Sequence, residues 1–341
     1  MPVPTFGVLH DFRQALPHSL EPARYYAECL DQVVRAERLG FDTVWFGEHH
    51  FTADGFLPSP LVAAAAVAAR TSRIGIGTNI LVLPLHHPLR VAEDAAVVEL
   101  LSDGRLVLGV GQGYAEDEFA GLGADRGRRG ALLEEGIGVL RQAWDDGVVT
   151  GADGRTLTFA PRPARRVPIL VGAVAPRAVD RAVRLADGMI VHASRITEHR
   201  PRWDTLDAAL TRHRRLRADF TVIGSTVVHV DDDSVRAWAT ATRAMHYYEH
   251  LLSRADPAAL PTTPAVPGTR ADYLVGTPPE VAERMVALLR TAPYDHLCFW
   301  GRLPGLDAAT SVRSLELFAR EVRPPVEAAL ATVKAPGTAP G

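Results

Sequence analysis

Three ionisable residues stand in a row in this chain, Glu48, His49 and His50, directly behind the apolar run Val44-Trp45-Phe46 and a single glycine, Gly47. An imidazole titrates near neutral pH, so it can take or give a proton during turnover. A carboxylate beside it can orient the ring or ligate a metal. Two chemistries are therefore open here: proton transfer next to a bound reactant, or metal-assisted hydrolysis. Two further apolar runs close on polar or aromatic groups, Thr5–Leu9 on His10 and Asp11, and the run through Cys298 on Phe299 and Trp300. Cys298, in a strand pattern, and Cys29, in a helical one, read as small core residues, because a reducing compartment disfavours a disulfide.

Such groups need rigid elements to place them. Short apolar runs at Thr5–Leu9, Thr43–Phe46, Ile74–Ile80, Leu106–Val110, Ile169–Val171, Met189–His192, Ser225–Val230 and Leu297–Trp300 read as strands. Helical windows of 3.6 periodicity lie between them: around Tyr26–Leu39 closed by Gly40, then Pro60–Arg70, Leu89–Leu101, Ala131–Trp144, Arg177–Ala186, Arg200–Leu216, Ser234–Leu252, Pro279–Leu289 and Ala309–Val322. Strict alternation of strand and helix implies parallel strands, and eight units close most economically into an α/β fold of the (β/α)8 TIM barrel type. A doubly wound open sheet is the alternative. Against it, the glycine stretch Gly109-Val-Gly-Gln-Gly-Tyr-Ala-Glu follows the fourth strand rather than the first. Its spacing also meets Glu116 where the dinucleotide fingerprint needs glycine.

The chain of 341 residues suits one barrel domain over 1–334, with a lid insertion at 254–269 marked by Pro257, Pro261, Pro264 and Pro267, and a disordered Pro/Gly tail at 335–341. Tyr114–Gly127 reads as a long loop after the fourth strand. The 37 Lys+Arg and 40 Asp+Glu are scattered over a net charge of -3, so neither nucleic acid nor an anionic membrane is expected as a partner. The start lacks the pattern of a secretory signal, and no apolar run is long enough for a membrane span; a cytoplasmic location is expected.

Side chains alternate across a strand. Trp45, Gly47 and His49 share one side, as do Gly75, Gly77 and Asn79, and Val107, Gly109 and Gly111. The opposite sets, such as Leu106, Leu108 and Val110, are bulky and suit the helix layer. Barrel cores normally fill with branched side chains, so glycines at one level of adjacent strands suggest a slot kept for something flat near the C-terminal mouth. Taken one by one, they more often mark bends or close backbone approach; their recurrence at one level of three adjacent strands favours the slot.

At these residues the chain resembles the bacterial luciferase-like family of flavin-dependent oxidoreductases. The matching stretches are Trp45-Phe-Gly-Glu-His-His-Phe-Thr, Gly77-Thr-Asn-Ile-Leu-Val-Leu-Pro, His87-Pro-Leu-Arg-Val-Ala-Glu-Asp, Leu101-Ser-Asp-Gly-Arg-Leu-Val-Leu-Gly-Val-Gly-Gln-Gly-Tyr, Val167-Pro-Ile-Leu-Val-Gly and Val275-Gly-Thr-Pro-Pro-Glu-Val-Ala-Glu-Arg. The resemblance implies a luciferase-like barrel with insertions, holding FMN at its mouth. It implies that His49 is the active-site histidine, and that Glu48 lies at the cofactor. Asn79 and Ile80, joined by a cis peptide, would stand behind the ring; Gly111, Gln112, Gly113 and Tyr114 would run along it. Gly172, Ala173, Val174, Ala175, Pro176 and Arg177 would form the turn toward the phosphate, where proline in a helix's first turn leaves backbone N–H groups free. One departure stands out: bacterial luciferase carries arginine where this chain has Gln112.

The expected function is that of a two-component monooxygenase using reduced FMN and dioxygen on a small hydrophobic molecule. A separate flavin reductase would supply the cofactor, and the chain would form a homodimer. His10, Trp45 and Trp300 are the candidate substrate residues, within an apolar mouth that also holds Phe51, Tyr114 and Phe299. The alternatives are a deazaflavin-dependent hydride-transfer enzyme of the same fold, a flavin-binding or flavin-free homologue without activity, and a metal-dependent barrel hydrolase. The last lacks the usual ligands, since the first strand ends Leu9-His10-Asp11 and the eighth Cys298-Phe-Trp-Gly; no metal is expected. Bland roles are expected for His50 as a loop cap, His86 and His87 as loop residues, Glu93 and Asp94 as helix anchors, and Arg302 as a solvated arginine.

Overall fold

The β-branched and apolar runs form the strands β1 (Thr5–His10), β2 (Thr43–Phe46), β3 (Gly75–Thr78), β4 (Leu106–Gly111), β5 (Ile169–Gly172), β6 (Gly188–His192), β7 (Thr221–Thr226) and β8 (His296–Trp300). This is a computed structural model; it describes residues 3–332 apart from 16–19, 152, 193–199, 253–269, 271–272 and 293. The strands pair in parallel in the order β3-β2-β1-β8-β7-β6-β5-β4, and β4 returns to β3 through Ile76↔Leu106. The sheet therefore closes, and the (β/α)8 barrel expected from alternation is the fold.

Around it lie α1 (Pro22–Arg38), α2 (Pro60–Ala68), α3 (Pro88–Ser102), α4 (Glu116–Leu122), α5 (Arg129–Asp146), α6 (Pro176–Leu185), α7 (Arg200–Arg212), α8 (Ser234–Leu252), α9 (Pro278–Thr291), α10 (Ala308–Leu317) and α11 (Arg323–Ala331). Their ends obey local chemistry. Glu21 accepts from the Arg24 N–H at the start of α1, and Gly40 just beyond its end has φ +84°, where glycine carries no steric penalty. At the barrel's N-terminal end the Arg105 guanidinium binds the carbonyls of Ala68, Thr71 and Ile74. That one side chain ties the α2–β3 and α3–β4 connections together. Among the described residues no helix is long and apolar enough to cross a membrane.

Two apolar clusters divide as strand parity requires. Val44, Phe46, Ile74, Ile76, Leu106, Leu108 and Val110 pack outward against the helices. Leu9, Trp45, Leu170, Ile190, Ile223, Cys298 and Trp300 fill the barrel interior. Two expectations need correction. The seventh strand begins at Thr221, where Thr221 pairs with Gly188, rather than at Ser225; Val228–Val230 instead joins Leu274–Gly276 in a separate parallel pair. Gly224 within the run hid the earlier start. The segment Tyr114–Gly127 is not a plain loop, since it contains α4, with Glu116, Asp117 and Glu118 in its first turn, where they complement the helix dipole. A hairpin of Val148–Thr150 with Thr156–Thr158 also went unread. The lid and tail expected at 254–269 and 335–341 lie outside the described residues.

Candidate active site

The glycine slot is the principal correction. A methyl group on Gly77 would stand 2.3 Å from the Trp45 ring, one on Gly109 2.7 Å from Ile190 Cδ1, and one on Gly111 1.8 Å from Ile80 Cδ1. These glycines make way for large neighbours inside the barrel, so the plainer reading of close approach holds for them. Trp45 is accordingly a core residue. It is 2% exposed and does not line the mouth; its indole N–H donates to His296 Nε2 at 3.0 Å. That bond leaves the His296 proton on Nδ1, facing Thr5 Oγ1 at 2.7 Å. Burial, then the positive Arg323, lowers the His296 pKa to about 3, so the ring stays neutral.

The cavity opens one level higher, past the C-terminal strand ends. It holds about 600 Å³, within the usual range for a ligand site. Its walls are mostly apolar, with Leu9, Phe56, Ile80, Val82, Ile190 and Trp300 among them. Few polar side chains reach it: Glu48, His49, Asn79, Gln112, Tyr114 and Glu118. Gly113, Gly172, Ala173, Val174 and Ala175 complete one wall, and the Asn79–Ile80 peptide is cis, as the resemblance implies. Asn79 Nδ2 donates to Cys298 Sγ at 3.3 Å.

His49 is held from both sides. Its Nδ1 lies 2.7 Å from Glu118 Oε1, and its Nε2 lies 3.4 Å from the Tyr114 hydroxyl. The ring meets Phe56 edge-on, with centroids 4.8 Å apart. Because a carboxylate accepts, Nδ1 carries the proton and Nε2 is left as the base at the cavity wall. Glu118 Oε1 also accepts from the His50 backbone N–H at 3.0 Å. This carboxylate was missed in the sequence, where helix α4 was read as loop; its signal is the acidic first turn Glu116-Asp-Glu.

Glu48 is buried and fully engaged. Oε2 accepts from the Val82 N–H at 2.6 Å, and Oε1 accepts from His50 Nε2 at 2.7 Å and His86 Nε2 at 2.6 Å. Burial alone would raise the Glu48 carboxyl, but the bonds from His50, His86 and Val82 hold it below the ordinary range. For His86 burial would lower the pKa, yet the Glu48 hydrogen bond and charge outweigh it and raise it. The carboxylate thus clamps residue 82, just beyond the cis peptide, to the end of β2. His50 and His86 are its partners rather than a cap and a plain loop residue. These three groups offer ligand atoms within 4.8 Å of one another. They come from one strand end and two loops, unlike a hydrolase set drawn from several strands.

Other expected site residues lie elsewhere. His10 ends β1 on the outward parity, does not line the cavity, and is held neutral by burial and then by Arg302, with its pKa lowered to about 3. Phe299 faces the helices beside Phe41 and Phe318. Phe51 is exposed, and Arg302 is buried beside Glu28 and the Tyr25 ring rather than solvated. Pro176 and Arg177 are exposed and off the cavity lining. Glu93 and Asp94 anchor α3 through Arg90, as expected. Trp300 does line the cavity, and its indole N–H donates to Asp11 Oδ2 at 3.1 Å.

A cavity of this size, with mostly apolar walls and a few polar groups, has room for a small organic ligand. The profile of the family described as luciferase-like monooxygenase matches residues 5–296. The alkanal monooxygenase alpha chain of Photorhabdus laumondii is 37% identical over 124 residues, 36% of this chain and 34% of that one. The F420-dependent glucose-6-phosphate dehydrogenase of Microbacterium testaceum is 29% identical over 320 residues, 87% and 92% of the two chains. The oxygenating constituent of 3,6-diketocamphane monooxygenase from Pseudomonas putida, in complex with FMN, superposes with a TM-score of 0.77 at 18% identity, covering 95% and 99%. The chain spans about half or less of the length of the first curated relatives it matches.

Proposed function

The chain belongs to the luciferase-like monooxygenase family, and from that premise we propose that it is a flavin-dependent monooxygenase that oxygenates a small hydrophobic organic molecule. Reduced FMN would come from a separate reductase. One observation carries the reading: His49 lines an apolar cavity with its Nδ1 fixed on the buried Glu118.

Glu48, Asn79, Ile80, Gln112, Gly113, Tyr114 and Gly172–Ala175 would hold the cofactor. When bound, reduced FMN supplies two electrons and activates dioxygen, chemistry no side chain here provides. The chain's own part is positional and protic. Glu48 fixes the backbone at Val82, and with it the wall formed by Ile80. Leu9, Phe56, Ile190 and Trp300 exclude water, which would otherwise divert the oxygen chemistry. His49 Nε2 accepts or returns a proton at the cavity edge while Nδ1–H stays bonded to Glu118, whose negative charge stabilises the imidazolium.

His49→Ala should abolish turnover while FMN affinity stays within about threefold, since a proton-transfer group contributes mainly to the transition state. Undiminished turnover would refute the assignment. A second reading keeps the fold and exchanges the cofactor for a deazaflavin with hydride transfer; the long alignment with the dehydrogenase favours it. The cavity lining contains no Lys or Arg among the described residues, which suits the more anionic deazaflavin coenzyme less well. Anaerobic titration with both reduced cofactors, then an oxygen pulse, separates them: tight binding of reduced FMN with reoxidation at a rate distinct from that of free reduced FMN supports the monooxygenase, and binding of the reduced deazaflavin alone defeats it.

We further propose a homodimer. Helices α2 and α3 pack side by side and leave Val62, Val97, Leu100 and Leu101 exposed, with Val62 at 72%. α2 is apolar on every face (Pro60-Leu-Val-Ala-Ala-Ala-Ala-Val-Ala), as a helix covered on both sides is.

A further inference from the structure

The cavity lacks a cation where its proposed occupant needs one. Two carboxylates, Glu48 and Glu118, reach it, and among the described residues no Lys or Arg lines it. A phosphate brought here would find donors but no countercharge on the wall. Two guanidinium groups lie one hydrogen bond behind that wall: Arg126, whose Nε donates to the Tyr114 carbonyl at 3.1 Å and whose side chain is half exposed, and Arg181. Gln112 lines the cavity, and its Oε1 accepts from Arg181 Nη1 at 3.3 Å. With the carbonyl end of the amide occupied, the remaining end of Gln112 is a pure donor, Nε2, which has no protein partner among the described residues. Arg181 also lies three residues beyond Ala178 on α6, and Ala178 itself lines the cavity, so the two share a helix face.

Arg181 is available because its counterion is shared. Arg181 Nε donates to Glu134 Oε1 at 2.9 Å, and Arg184 Nη2 donates to Glu134 Oε2 at 2.6 Å. If Arg181 turns away, Glu134 remains paired with Arg184, so no carboxylate is stranded. Glycine at 130 keeps the backbone of α5 clear, since a methyl there would stand 3.0 Å from Arg181 Nη2. Arg177, the other cation near this end of α6, is exposed and off the lining.

We propose that Arg181 supplies the positive charge that holds the phosphate of the cofactor, polarising the Gln112 amide and pairing with the phosphate as it leaves Glu134. The inference rests on the flavin reading above and deepens it by assigning the phosphate's partner.

The test uses the full chain and two probes that differ by one phosphate, FMN and riboflavin, with affinities read from quenching of flavin fluorescence. Wild type should prefer FMN. Arg181→Gln should cut that preference about tenfold, the scale of one charge-assisted contact, while riboflavin affinity changes less than about twofold. Arg181→Lys, which keeps a charge without the planar fork, should restore part of it. Arg177→Gln should leave the ratio alone, and Arg184→Gln should lower it by less than Arg181→Gln does, because Glu134 then keeps Arg181 as its remaining partner. An unchanged ratio in Arg181→Gln, or a loss of equal size in Arg177→Gln or Arg184→Gln, overturns the assignment and leaves the flavin reading standing. So does a wild type that binds both flavins equally. A wild type that binds neither removes both.

Discussion

Replacing Glu118 with glutamine isolates what the carboxylate does for His49. The side chain keeps its size and an oxygen that can accept from the His50 N–H, now at 3.0 Å, and from His49 Nδ1, now at 2.7 Å; it loses the charge. Hydrogen bonds to charged groups contribute about 1.5–3 kcal/mol and neutral ones about 0.5–1.5 kcal/mol. The difference, about 1–1.5 kcal/mol, falls on the imidazolium and so on the transition state, which is about tenfold in rate. Glu118→Ala goes further, because it strands the His50 N–H and the His49 ring together, and should cost about 2–4 kcal/mol in unfolding free energy as well. Enzyme-dependent dioxygen uptake, with the spontaneous oxidation of free reduced FMN subtracted, set beside a urea titration, reads the two effects apart. Glu118→Gln should be slower by about tenfold at unchanged FMN affinity, and its effect on the urea midpoint should shrink in a His49→Ala background, because the carboxylate acts through the ring. A Glu118→Gln enzyme within twofold of wild type, or effects that simply add, would refute the dyad.

The Glu48 clamp makes stability depend on pH at both ends. The Glu48 carboxyl is depressed from 4.5, so its contribution is present above that value and lost as pH falls through its folded pKa; His86 is raised from 6.5, so its contribution is complete below 6.5 and lost as pH rises through its folded pKa. Urea midpoints should therefore be highest between the two, and His86→Asn should abolish the alkaline decline; a wild-type midpoint that declines on neither the acid nor the alkaline side of this window refutes the clamp. For the dimer, Val62→Glu places a charge on the 72% exposed position of α2 and should shift sedimentation toward the monomer; a wild type that already sediments as a monomer refutes the interface.

Much of this was legible because two signals do not depend on tertiary context. Alternation of short β-rich runs with helical windows identified the barrel, and the parity of Val44, Phe46 and Leu108 against Trp45 and Gly109 divided outside from inside as the two clusters do. His49 followed from the same parity once the strand was extended past Gly47. Glu118 did not, because its partner is 69 residues away and nothing local in an acidic helix start says which of Glu116, Asp117 and Glu118 turns inward. Likewise Arg181 carries no mark in the sequence that separates it from Arg177 or Arg184. Its pairing with Gln112 exists once β4 and α6 are neighbours.

The glycines show why a small residue is an ambiguous sign inside a barrel. Glycine can reserve room for a ligand or for the neighbouring strand's side chain, and composition does not distinguish the two. Here Gly77 faces Trp45 on the next strand in direct register, Trp45↔Gly77, so the bulky residue that fills the space was written beside it on β2. A register-aware reading pairs each inward glycine with its cross-strand partner before counting it as empty. By that criterion Gly77 is occupied by an indole. Gly172 has a looser fit, since a methyl there would lie 3.1 Å from Ile80 Cδ1, and it is the one of the two that lines the cavity. The cavity therefore arises above the packed layer of Trp45 and Leu170, with Leu9 and Ile190 lining it.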